Sequence, residues 1–97
     1  MNQVHEYLHG NTKLCNGAHV TLGELQHHYI KYCRHNYLDK INSRYDLFKY
    51  RVSQVYEIGK YKGEDCAINV AMQEWNRGHS KHYTLVNYNG VVVREDI

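Results

Sequence analysis

Between Thr21 and Asn36, apolar residues return at three- and four-residue steps. Leu22, Leu25, Tyr29, Tyr32 and Cys33 therefore share one face of a helix, while His27, His28, Lys31, Arg34 and His35 look largely outward. Thr21 offers a capping hydroxyl and Glu24 stands three residues on, the spacing of a capping box, so the helix is predicted to start there. A second helical pattern follows, with Tyr45, Phe48, Val52 and Val55 at 3-4-3 spacing, Asn42 or Ser43 as its cap and Gly59 at its end. Ahead of both, Val4, Tyr7 and Leu8 predict a short helix over residues 3–8 that stops near Gly10. Asn11 to Gly17 reads as turn-rich, and Ala18-His19-Val20 as a brief extended lead into the capped helix. The capped helix and the Phe48 helix, joined by a short connection, form a helix-turn-helix candidate.

After Gly63 the period changes from 3.6 to 2. Cys66, Ile68, Val70 and Met72 point one way and Ala67, Asn69, Ala71 and Gln73 the other, the alternation of a half-buried strand. Trp75 to Ser80 reads as a turn and Tyr83 to Val86 as a returning strand, which makes an antiparallel hairpin. Asn89-Gly90, ahead of Val91-Val92-Val93, fits either a turn into a third strand or a bulge in one long strand. The predicted fold is α+β: a small winged helix-turn-helix with three helices and a two- or three-stranded antiparallel wing, one domain over residues 1–97.

Composition narrows the function classes. A chain of 97 residues has room for one core with a thin margin, and ten tyrosines with one tryptophan supply much of the area beyond its aliphatic residues. Such rings suit a thin core and equally suit a surface covered by a partner. A formal charge of +2 is too small to announce nucleic acid, since dedicated DNA-binding domains are more basic. Eight histidines make any electrostatic binding sensitive to pH. No apolar run approaches the roughly 18 residues of a membrane span, and Met1-Asn2-Gln3 opens no signal-peptide pattern, so the expected setting is cytoplasmic with no membrane partner. Cys15, Cys33 and Cys66 are odd in number and widely spaced, which makes no disulfide framework.

The donor pattern argues against metal and catalysis. His5 and His9 lie one helical turn apart, Cys15 and His19 have ligand-like spacing, and Cys33 and His35 add two donors, yet the paired motifs of a structural zinc site are missing. No nucleophile elbow, phosphate loop or paired acidic motif accompanies any Cys/His pair, and the adjacent His27 and His28 diverge by about 100° around a helix. The expectation is a protein that is not an enzyme and needs no cofactor.

One resemblance emerges from the extended Val20-Thr21 entering the helix of Leu25, Tyr29, Tyr32, Cys33 and Asn36, followed by the Phe48 helix and by Tyr88, Gly90, Val91, Val93 and Arg94. Over about residues 3–95 the chain resembles the small winged-helix domain at the C-terminus of phage, plasmid and poxvirus D5-type primase-helicases. Where that family often carries Trp, Tyr32 stands here, and the expectation is a free-standing copy without the helicase that normally precedes the domain. The resemblance implies a small accessory protein of a phage or mobile element. It would act on single- or double-stranded DNA or beside a replication polymerase, primase or helicase.

Two surfaces are candidate sites. On the Phe48 helix, Asp46, Tyr50, Ser53 and Glu57 form the face opposite the apolar stripe, flanked by Arg44, Lys49 and Arg51. Two carboxylates there repel phosphates, which is poor for a groove reader. At the hairpin tip, Arg77, His79, Lys81 and His82 cluster beside Trp75, a wing able to lie along a phosphate backbone or stack a base. Expected nucleic-acid contacts are thus Arg77, His79 and Lys81 on the wing with Arg44, Lys49 and Arg51 on the helix; expected partner contacts are Tyr50 and Trp75. The alternative is a protein-binding phage inhibitor of a host or defence enzyme, with no nucleic-acid role.

Overall fold

The computed structural model of the protein describes the backbone of residues 2–75, 81–86 and 92–96, and the side chains of residues 2–72. Among these residues the order is α1 (Gln3–Asn11), β1 (Thr12–Thr21), α2 (Leu22–His35), α3 (Tyr45–Ser53), β2 (Ile58–Tyr61), β3 (Glu64–Trp75), β4 (Lys81–Val86) and β5 (Val92–Asp96). The fold is α+β, with three helices against a five-stranded antiparallel sheet. β3 is its centre: β1 pairs along one edge, while β2 and then β4 share the other, and β5 lies outside β4.

Each helix is placed by its apolar stripe. Thr21 caps α2 by accepting the Glu24 N–H at 3.1 Å, as the spacing predicts, and Asn2 caps α1 by accepting the His5 N–H at 2.9 Å. Val4, Tyr7 and Leu8 from α1, Leu22, Leu25, Tyr29 and Cys33 from α2, and Phe48 and Val52 from α3 meet Val20, Ala67, Val70 and Met72 of the sheet. Through this core runs an aromatic spine. The Tyr7 and Tyr29 rings meet edge to face at 5.2 Å, and Tyr29 stacks on Phe48 at 5.4 Å, so one ring from each helix locks the bundle. Burial pushes the Tyr7 and Tyr29 hydroxyls well above the usual tyrosine range.

Several expectations are corrected. Residues 12–17, expected as turns, belong to β1. Asn16-Gly17 instead lies in a bulge, because β1 places residues 15–18 between Leu14 and His19 where β3 has only Asn69 between Val70 and Ile68. Strict alternation in β3 fails at the same place: Asn69 has φ 59°, and Ala67, Val70 and Met72 all reach the core. The Phe48 helix starts after Arg44 without a side-chain cap and ends at Ser53, leaving Val55 exposed beyond it. Gly59 does not end a helix but sits in β2, a strand the sequence pattern concealed. β2 and β3 turn through Lys62 (φ 50°) and Gly63 (φ 80°), a two-residue hairpin of left-handed backbone. The predicted 66–86 hairpin is present as β3 and β4, and Asn89-Gly90 precedes a third strand, β5, paired with β4.

Candidate functional site

α3 is anchored from one side by Phe48 and Val52, which turns the opposite face to solvent and leaves Lys49 and Arg51 half-buried at its flanks. Leu47 and Tyr50 lie on that outer face, 42% and 57% exposed. Of the residues predicted to meet phosphate, the three cations at α3 already have partners within the chain. Arg44 pairs with Asp46 at 3.4 Å, Lys49 with Asp65 at 3.1 Å, and Arg51 donates to Gln54 Oε1 at 3.3 Å while its guanidinium lies 5.6 Å from the Tyr50 ring centroid.

Asp65, at the start of β3, joins α3 to the β2–β3 hairpin. Its carboxylate accepts from the Tyr45 hydroxyl at 2.7 Å and from Lys49, with Lys60 of β2 at 3.6 Å. The Tyr45 hydrogen bond, then Lys49, holds the Asp65 carboxyl below the usual carboxylate range. Desolvation, then the hydrogen bond to Asp65, pushes Tyr45 up to about 12. This carboxylate therefore absorbs much of the local positive field.

Residues 36–44 connect α2 to α3, and their backbone is held from beneath. Gln3 of α1 donates to the Asp39 carbonyl, Tyr29 to that of Ile41 at 2.6 Å, and Gln26 to that of Ser43 at 2.7 Å. With the carbonyls tied inward, the side chains go outward: Tyr37 is 98% exposed, Ile41 53%, and Leu38 is also exposed.

His28, expected to look largely outward, is structural, and so is His5. His28 Nδ1 meets the Tyr7 hydroxyl at 2.7 Å, and His5 Nε2 lies 3.1 Å from the Arg51 carbonyl, tying α1 to α3. Among the described residues no three His, Cys, Asp or Glu side chains gather in a metal-holding group, and no helix is long and apolar enough to cross a membrane.

Of the residues predicted on this helix, Lys49, Tyr50 and Arg51 lie within α3 and Arg44 is its N-cap. Trp75 ends β3 with its backbone opposite Lys81 of β4, and the side chains of both, like Arg77 and His79 entirely, lie outside the described residues. Sequence reasoning missed Leu47, Tyr37, Leu38, Ile41 and Asp65. Leu47 carried a signal, an apolar residue off the helical stripe; Asp65 carried none, because its role depends on partners 5 to 20 residues away. Comparison with protein-family models, curated proteins and solved structures finds no match.

Proposed function

We propose that the chain is a small winged-helix interaction module, with no catalysis of its own, that docks on a protein partner through the outer face of α3. Its connectivity supports the winged-helix reading: the strand between the first two helices pairs with the second strand of the hairpin that follows the third. In that frame β2–β3 is the wing, earlier in the chain than the sequence pattern placed it, and α3 is the recognition helix. The choice of partner rests on the α3 surface, where Leu47 and Tyr50 are exposed while Arg44, Lys49 and Arg51 are engaged by Asp46, Asp65 and Gln54. A groove-reading helix needs free cations and amides aimed at phosphates and base edges, whereas aromatic and aliphatic anchors carry protein interfaces.

The D5-type resemblance makes a replication polymerase, primase or helicase the first partner class to test, with a host or defence enzyme next. The exposed Lys62 at the hairpin turn favours a second, weaker contact with DNA of either strandedness. The test compares the wild type with a Leu47→Ser/Tyr50→Ala chain, as baits for proteins identified by mass spectrometry and in titrations with duplex DNA. The expected result is a protein retained by the wild type and weakened at least about tenfold by the double variant, the scale of interface anchors. DNA affinity should be modest and fall steeply between about 50 and 200 mM salt. Tight DNA binding that ignores the double substitution, with no protein retained, would replace this reading.

A further inference from the structure

The α2–α3 loop has features that neither folding nor the α3 surface explains. Tyr37 follows the last turn of α2 in left-handed backbone, φ 54°, with its N–H on the Arg34 carbonyl at 3.3 Å and the Leu38 N–H on that of Cys33 at 2.9 Å. This is the helix-ending arrangement in which glycine is favoured, because a β-carbon crowds the backbone there. A tyrosine at that position is strained, and at 98% exposure its ring recovers almost nothing from packing. Leu38 and Ile41 stand exposed in the same loop, whose carbonyls are fixed by Gln3, Tyr29 and Gln26. The surface is therefore set before a partner arrives, which lowers the entropy lost on binding.

Charge indicates what fits it. From residue 31 to 40 the chain carries Lys31, Arg34 and Lys40 against Asp39 alone, while Arg44 further on is paired with Asp46. An apolar ridge with a cationic border complements a segment of opposite design. We infer that the α2–α3 loop is a preformed docking ridge for an acidic protein segment that seats one apolar side chain among Tyr37, Leu38 and Ile41 and sets its carboxylates against Arg34 and Lys40. The Tyr37 ring offers a plane on which a base can stack, but Leu38 and Ile41 beside it do not, and two aliphatic members of three favour a protein segment over nucleic acid. The inference rests on the protein-partner reading above and specifies the chemistry bound.

Short random peptides displayed on phage, selected on the immobilised full chain, test it without a known partner. Selected peptides should be rich in Asp and Glu around one aliphatic or aromatic residue. Synthetic copies should lose at least about tenfold in affinity for Tyr37→Gly/Ile41→Ser, stay within about twofold for Leu47→Ser/Tyr50→Ala, and weaken several-fold for Lys40→Glu. Melting curves of each variant, expected near or above that of the wild type for Tyr37→Gly, show that the fold is retained. Selection of neutral or basic peptides, no selection at all, binding that survives the loop variant, or stronger binding to oligothymidylate than to the peptides would each overturn the proposal. Peptides that depend on Leu47 and Tyr50 but not on the loop would overturn it while leaving the α3 reading in place.

Discussion

Gly17 and Asn69 hold each other's irregular backbone in place: the Gly17 N–H donates to Asn69 Oδ1 at 3.0 Å, and both residues are left-handed, φ 85° and 59°. The β1 bulge and the break in β3 alternation are therefore one device, in which a side chain supplies the hydrogen bond that the ladder omits. Asn is one of the few non-glycine residues that tolerates such backbone, and Asn69 also has the acceptor required.

A substitution series at Asn69 separates the two roles. Asp keeps an acceptor and the tolerance, so Asn69→Asp should be nearest to wild type. Asn69→Gly keeps only the backbone freedom and should cost about 1 kcal/mol, while Asn69→Ala should cost about 1–2 kcal/mol more because it also strains φ. Denaturant unfolding checks the order, and a Gly variant no better than Ala would show that the hydrogen bond, not the backbone, dominates.

Phe48 and Tyr50 should behave oppositely although they are two residues apart. Phe48 is fully buried against Tyr29, so Phe48→Ala should cost about 3–5 kcal/mol, close to the whole stability of a small domain. Tyr50→Ala removes an exposed ring and should leave the melting temperature nearly unchanged. Thermal melts of the two variants decide whether α3 faces as described.

Asp65 gives a pH signature. Its folded pKa is lowered, first by Tyr45 and then by Lys49, so its contribution is present above the unfolded carboxylate value near 4 and is lost as pH falls through the folded one. Asp65→Asn should therefore lower the melting temperature at pH 7, and the gap from wild type should close below about pH 4. A gap that persisted unchanged in acid would assign the effect to packing rather than charge.

Tyr37→Gly should raise stability, since glycine relieves left-handed strain of about 1 kcal/mol at a fully exposed position, offset in part by the freedom it gives the unfolded chain. The expected rise in melting temperature is up to about 4–8 °C for a domain of this size. A fall instead would mean that the Tyr37 ring contributes to the folded state.

What the sequence could show depended on periodicity that remained unbroken. Leu22, Leu25, Tyr29 and Cys33 repeat cleanly behind a Thr21 cap, and the structure buries all four. β2 was hidden because Ile-Gly-Lys-Tyr is too short for a period and because its glycine resembles a helix stop. Asn16-Gly17 was read as a turn because bulges and turns use the same residues for the same left-handed backbone. At the site, the exposure of Tyr50 followed from helical geometry alone. The engagement of Lys49 by Asp65 and the anchoring of residues 39–43 by Gln3, Tyr29 and Gln26 did not, since those contacts join segments that only the completed fold brings together.

The central position of β3 also governs the order in which the chain can mature. β1 leaves the ribosome well before the strand that completes it, because its partners in β3 lie 45 to 60 residues later. Until residue 72 has emerged, Leu8 of α1, Leu22 of α2 and Val20 of β1 lack the β3 side chains that complete their core. Closing so long a loop is slow relative to helix formation, so the nascent N-terminal half passes through a period of exposed apolar surface. Synthesis of β3 is thus the step that ends the vulnerable interval, and truncations before residue 72 should yield aggregates rather than a smaller folded domain.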